Sequence, residues 1–224
     1  RFAADWASSQ KGQPAPSRPP ANSLKAAVVG GGPAGLSAAW ELARRGYQVR
    51  LYEAGPVLGG MLALGIPEYR LPKAVLTREI EGILALGVEA RTGVRVGRDI
   101  SLEQLRAEND AVFVAVGAWQ STVLGVPGEE LPGVVQAIEL LREVNLAALR
   151  VSKTGPKVGR RVAVVGGGNA AIDAARTALR LGAEEVHLVY RRTREEMPAQ
   201  AEEVREAERE GVVMHLLAAP EAVV

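Results

Sequence analysis

The chain contains no cysteine in its 224 residues. That absence removes any redox-active dithiol and leaves no thiolate within these residues to hold an iron–sulfur cluster. Histidine is nearly as scarce. His187 and His215 are the only two. They stand far apart in sequence, and no acidic group has sensible ligand spacing, so no metal site is expected. An excess of one charge is missing too: the formal net charge is +1, which recruits neither nucleic acid nor an anionic membrane. No apolar run approaches the ~20 residues needed to span a bilayer, so no membrane insertion is expected. The opening RFAADWASSQ lacks the basic stretch and apolar core of a secretory leader, which points to the cytoplasm. What is abundant is Ala, Val and Leu, within a hydrophobic content of 47%. That composition suits an α/β protein with a buried parallel sheet and helices on both faces, and the length suits one large or two small domains.

Two glycine-rich fingerprints organise the sequence. The first is VVGGGPAGLSAA, Val28 to Ala39, and the second VVGGGNAAIDAA, Val164 to Ala175. Each follows a short β-branched run and opens a helical segment. In the first, Gly30, Gly32 and Gly35 give G-x-G-x-x-G: one glycine for the tight turn, one for close approach of a pyrophosphate, one for packing of helix on strand. Pro33 suits the first helical turn and Gly46 the C-terminal cap. The helix N-terminus then faces phosphate. A second strand, Gln48 to Tyr52, ends at Glu53, an acid placed to accept hydrogen bonds from ribose hydroxyls. The plainer alternative is a helix-packing turn without a ligand. Strand, glycines, helix, strand and terminal acid together weigh against it.

The second copy keeps Gly166 and Gly168 and puts Ala171 at the third position, an allowed variant. Its helix runs from Asn169 to Leu181 and its next strand from Glu185 to Tyr190. No acid ends that strand. Tyr190 takes the place, followed by Arg191, Arg192 and Arg194. A missing acid with guanidinium groups beside it favours a 2′-phosphate over a bare ribose diol, so the copy reads as NADP(H) rather than NAD(H). The competing reading is a solvated cluster paired with Glu195, Glu196, Glu202 and Glu203.

Four segments carry a family resemblance: GGGPAGLSAAWELARRGYQVRLYEA, GGMLALGIPEYRLPK, AVGAWQSTVLGVPGEELPGV and GGGNAAIDAARTALRLGAEEVHLVYRRTREEMPA. With them the chain resembles the small (β) subunit of NADPH-dependent glutamate synthase. That subunit is one of the two-dinucleotide-domain flavoproteins of the pyridine nucleotide-disulfide oxidoreductase superfamily, here without the dithiol. The resemblance implies two Rossmann-like (GR2-type) domains, the first binding FAD and the second NAD(P)H. It implies that FAD lies against Gly30, Gly32, Pro33, Ala34, Gly35, Glu53, Ala54, Gly60, Met61, Ile66, Pro67, Arg70 and Gly117. NADP(H) would lie against Gly166, Gly168, Asn169, Ala170, Ala171, Arg191 and Arg192. Gly59 to Lys73 reads from its glycines and prolines as a loop, and the resemblance lays it along the flavin. No catalytic side chain is expected, because the hydride chemistry belongs to the cofactors.

The remaining expectations concern organisation. Residues 1–23 read as a helix tail and a Pro-rich linker, 24–125 as the first part of the FAD-binding domain, and 126–224 as most of the NAD(P)H-binding domain. Helices are expected at Lys73–Leu86, Ser101–Glu108, Ala137–Leu149 and Glu195–Glu210, the last as a solvated face. Ser101 with Gln104 forms a capping-box pattern. Strands are expected at Val88–Val96, at Asp110–Val116 as a core strand, and at Val212–Leu217. The start at Arg1 reads as a piece of a longer protein; the resemblance implies a closing Gly-Asp segment that is not found here, which leaves the FAD domain incomplete at its C-terminal return. The resemblance implies an iron–sulfur domain upstream and a larger catalytic or electron-transfer partner subunit. A non-catalytic nucleotide-binding scaffold subunit is the alternative from a different class, and a flavin-dependent monooxygenase a third reading.

Overall fold

The computed structural model describes residues 19–224. The expected helix tail, and all but the last residues of the linker, lie outside that range. Two compact units form: residues 19–62 with Ala74–Gly117, and Ala63–Lys73 with Ala118–Val224.

The first unit is a parallel four-stranded sheet in the order β3-β2-β1-β4, built from β1 (Lys25–Val29), β2 (Gln48–Glu53), β3 (Glu89–Thr92) and β4 (Ala111–Val114). β1 is apolar without alternation and is buried on both faces. On one face Val28, Val49 and Leu51 pack with Leu36, Ala39 and Ala43 of α1 (Pro33–Arg44). Ile80, Ile83 and Leu84 of α3 (Lys73–Ala85) join them there. On the other face Ala27, Val29 and Tyr52 pack with Leu105 of α4 (Leu102–Glu108). Ser101 caps α4 as its sequence demands: its Oγ accepts from Gln104 N–H at 3.1 Å, and Gln104 Oε1 accepts from Ser101 N–H at 2.8 Å. A short helix, α2 (Gly60–Leu64), precedes α3.

The second unit is a parallel three-stranded sheet, β5-β6-β7, made of β5 (Arg161–Val165), β6 (Glu185–Tyr190) and β7 (Val213–Leu216). Its helices are α5 (Ala137–Ala148), α6 (Asn169–Arg180) and α7 (Ala201–Arg209). Val164, Val186, Leu188 and Tyr190 face Ile172, Ala175 and Ala178 of α6 and Val204 and Ala207 of α7. The repeated alanines let α6 lie close to the sheet, and eight of its residues are buried.

Several expectations need correction. The expected strand Val88–Val96 holds only at Glu89–Thr92, where a turn at Gly93 ends it. Asp110–Val116 is not a core strand: β4 is a sheet edge, with Phe113 at 45% and Val114 at 57% exposure. A β-branched run cannot say whether a neighbour covers it. Gly59–Lys73 is not all loop, since it opens with α2. The charged helix starts at Ala201 rather than Glu195, because Pro198 disfavours helical backbone before it and Met197 and Ala199 turn into the core. It is not simply a solvated face, because Val204 and Ala207 are buried. Helices on both faces hold for the first sheet only. Among the described residues the second sheet's outer side chains, Val165 and Val213, stay exposed.

Candidate functional site

Each fingerprint folds into the same strand–turn–helix. Gly30 and Gly166 take φ of +108° and +141°, a region open to glycine. The Gly30 N–H donates to Tyr52 O at 2.8 Å and the Gly166 N–H to Val189 O at 2.9 Å. Gly35 is required by packing, since a Cβ there would lie 1.8 Å from Gly30 O.

The second glycines differ in kind. Gly32 and Gly168 are the N-caps of α1 and α6, with φ of −77° and −91° that any residue adopts. A Cβ on Gly168 would meet nothing within 4 Å, and one on Gly32 only Gly60 Cα at 3.9 Å. Neither backbone conformation nor packing within the protein demands glycine at these two places. Glycine is a favoured N-cap, and at both places it also leaves open space into which a pyrophosphate can approach the backbone. Neither helix has a side-chain cap, so the first-turn N–H groups after Pro33–Ala34 and Asn169–Ala170 suit an anion.

The strand tips set the two turns apart. Glu53 Oε2 accepts from Gly31 N–H at 2.7 Å and Oε1 from Gly55 N–H at 2.6 Å. A carboxylate has about four acceptor sites, so two remain for a ribose diol. At the equivalent tip, Tyr190 is 8% exposed. Arg191 and Arg192 beyond it are exposed and form no ion pair among the described residues, whereas Arg194 pairs with Glu208. Of the acids that could neutralise them, Glu202 pairs with Arg205 and Glu203 with Arg176, while Glu196, held below its ordinary range first by hydrogen bonds from Thr193, also feels the Arg192 charge.

The other sequence-selected residues distribute as follows. Gly60 packs against Gly32: a Cβ at Gly60 would come within 2.7 Å of Gly32 Cα. Gly59 N–H donates to Gly31 O at 2.7 Å. Ala54 is exposed just past Glu53, Met61 and Ile66 are half-buried, and Pro67 is buried. Gly117 follows β4 at φ +72° and is exposed.

Arg70 has partners that its sequence neighbours do not suggest. Its Nη1 donates to Asp173 Oδ1 and Oδ2 at 3.0 and 2.8 Å, and its Nε lies 3.4 Å from Glu203. Tyr69 OH donates to Asp173 Oδ1 at 3.4 Å, with the Arg176 and Arg180 guanidiniums 4.6 and 4.1 Å from its ring centre. Burial, and next the Asp173 charge, push the Tyr69 hydroxyl up to about 12. Burial raises the Asp173 carboxyl above the usual range against the opposing pull of Arg70. This network binds the 63–73 segment to α6, and sequence reasoning missed it. The available signal was a run of polar residues, Asp173, Arg176 and Thr177, on the buried side of an otherwise alanine-rich helix.

At the far end of the network, hydrogen bonds from Arg180 and then Arg176 hold Glu210 at about 2, below its ordinary 4.5. A lowered folded value means stability that is present above pH 4.5 and lost as pH falls through about 2. Glu210→Gln is therefore expected to flatten the pH dependence of unfolding between those limits. An acid titration followed by circular dichroism with an unchanged slope would contradict this.

The two histidines, remote in sequence, meet across β6 and β7 with His187 Nδ1 and His215 Nε2 2.9 Å apart. Among the described residues no group of three or more potential ligands could hold a metal ion, and no helix is long and apolar enough to cross a membrane.

With this geometry in view, the pattern of the pyridine nucleotide-disulphide oxidoreductase family matches residues 24–224. The chain is 54% identical over 202 residues to the NADP(+)-dependent formate dehydrogenase subunit beta of Moorella thermoacetica, covering 89% of this chain and 28% of that protein. It is 40% identical over 204 residues to the glutamate synthase [NADPH] small chain of Azospirillum brasilense, covering 88% and 42%. Among solved structures, FprA of Mycobacterium tuberculosis in complex with NADPH superposes with a TM-score of 0.70 at 25% identity, covering 85% of this chain and 48% of that one. The chain thus spans between 28% and 48% of the length of these relatives.

Proposed function

We propose that this chain, which belongs to the pyridine nucleotide-disulphide oxidoreductase family, is the dinucleotide-binding part of a flavoprotein oxidoreductase subunit similar to the small chain of glutamate synthase. In this reading residues 24–125 hold FAD and residues 126–224 hold NADPH. The observation that carries it is the pair of N-cap glycines, Gly32 and Gly168, which leave open space beside the backbone where a pyrophosphate can approach. When bound, the cofactors supply hydride transfer from nicotinamide to flavin and release of single electrons onward.

The chain's own residues bind and orient. Gly32 and Gly168 leave room for pyrophosphate, and the first turns of α1 and α6 donate N–H groups to it. Glu53 takes a ribose diol with its remaining lone pairs. Arg191 and Arg192, exposed and unpaired among the described residues, take the 2′-phosphate. The same reading includes an iron–sulfur domain upstream in a longer protein, a larger partner subunit receiving the electrons, and a cytoplasmic location. Names of relatives that carry NADP(+) or NADPH and the words subunit or small chain support it.

The test is an anaerobic titration of the FAD-loaded chain with NADPH. Bleaching of the flavin absorbance is expected. Nucleotides bound without bleaching would make the chain a nucleotide-holding scaffold, and failure to bind either would end the proposal. The choice of nucleotide has its own check. Replacing Arg191 and Arg192 together by alanine removes two charge-assisted contacts and is expected to weaken NADPH about a hundred-fold. NADH should change little. Equal losses for both nucleotides would refute the assignment.

A further inference from the structure

Tyr190 occupies the position that Glu53 holds in the first unit. Each follows the strand residue whose carbonyl accepts the N–H of the first turn glycine, Tyr52 for Gly30 and Val189 for Gly166. In the first unit the middle glycine, Gly31, donates its N–H to the Glu53 carboxylate. In the second, the Tyr190 ring lies directly on Gly167, where a Cβ would come 2.4 Å from ring atom Cε2. The tyrosine therefore fills the place from which a carboxylate would reach a ribose diol.

Its hydroxyl has a further role. Tyr190 OH donates to Glu196 O at 2.8 Å, which closes residues 190–196 into a ring. The Glu196 carboxylate accepts from both Thr193 N and Thr193 Oγ1 at 3.1 Å. Beyond it, Ala199 N–H donates to Gly167 O at 3.0 Å and Gln200 N–H to Asn169 Oδ1 at 3.2 Å. On the opposite side Ala218 N–H donates to Tyr190 O, and Leu217 N–H to Arg192 O, both at 3.2 Å. The backbone bearing Arg191 and Arg192 is thus tied down at both ends, while their guanidiniums project without ion-pair partners among the described residues.

We propose that Tyr190 is a positioning residue for nucleotide selectivity. Its ring excludes the acid arrangement from the turn, and its hydroxyl fixes the 191–196 bracket that aims Arg191 and Arg192 at a 2′-phosphate. The inference rests on the NADPH reading of the second unit. A fixed backbone reduces what the arginines lose in conformational freedom on binding, and that saving is specific to the ligand carrying the extra phosphate.

The experiment compares 2′,5′-ADP with 5′-AMP, two probes that differ by that phosphate alone, in calorimetric titrations of the whole chain. Three proteins are needed: the native sequence, Tyr190→Phe, and the Arg191→Ala/Arg192→Ala pair. The phenylalanine keeps the ring on Gly167 and both guanidiniums but loses the bond to Glu196 O. Its preference for 2′,5′-ADP is expected to fall about five-fold, the worth of one hydrogen bond, with 5′-AMP affinity within two-fold of native. If both probes weaken equally in Tyr190→Phe, or its preference is intact while the arginine pair loses it, the role given to Tyr190 is overturned and the NADPH reading survives. If the arginine pair itself retains the preference, that reading fails and this inference with it.

Discussion

Alanine at Gly168 should abolish useful NADPH binding in a protein that remains folded. Its φ of −91° is ordinary for alanine, and the new methyl would meet no protein atom within 4 Å. The structural cost is the exchange of a glycine N-cap for a poorer one, about 1 kcal/mol or a fall of about 2–4 °C in Tm. The binding cost is larger. A Cβ on the open side of the turn holds the pyrophosphate off the first-turn N–H groups, and loss of two charge-assisted contacts weakens affinity about a hundred-fold. Gly32→Ala should do the same to FAD and spare NADPH. Gly35→Ala is the contrasting control, because its Cβ would sit 1.8 Å from Gly30 O and must disrupt the first unit itself. Melting curves and separate titrations with each nucleotide decide the matter. Unchanged affinity in Gly168→Ala would show that nothing approaches the turn there.

Asp173→Ala should cost the second unit about 3 kcal/mol, because it leaves Arg70 in a largely buried place with only Glu203 beside it. The Arg70 and Asp173 side chains are 20% and 7% exposed, so water cannot replace the lost partner in full. The Asp173 carboxyl stays raised, because burial outweighs the pull of Arg70, which marks a pair whose desolvation its attraction does not fully repay. It follows that removing both charges should be milder than removing one. Arg70→Met with Asp173→Leu is expected to recover most of the loss in urea unfolding at an unchanged slope. A double variant as unstable as Asp173→Ala alone would show that shape at this site, rather than unpaired charge, sets the cost.

The sequence exposed those features whose causes lie within a few residues. β2, α6 and β6 each fall within one or two residues of their expected bounds, because glycine turns and β-branched runs act locally. The capping box at Ser101 is of the same kind. What stayed hidden depends on distant partners. Nothing around Phe113 says that β4 is an edge. Nothing near Arg70 points to Asp173, and nothing near His187 points to His215. The bracket after Tyr190 was partly legible as a tyrosine followed by arginines. Its closure depends on Gly167 O, Asn169 Oδ1 and the strand end at Leu217, which only the folded chain brings together. Leu217 even takes a φ of +54°, a conformation that its residue type gives no reason to expect.

The separation between Arg70 and Asp173 also has a meaning in time. The two stand 103 residues apart, and a ribosome adds roughly 5–20 residues per second. Arg70 therefore spends roughly 5–20 s in a nascent chain before its carboxylate has been made. Through that interval Tyr69 likewise lacks Arg176 and Arg180 against its ring. The 63–73 segment, made early and flanked by stretches of the first unit, must wait in water for α6. The first unit can assemble its four strands once β4 emerges, whereas the second takes its earliest piece from far upstream and completes itself last.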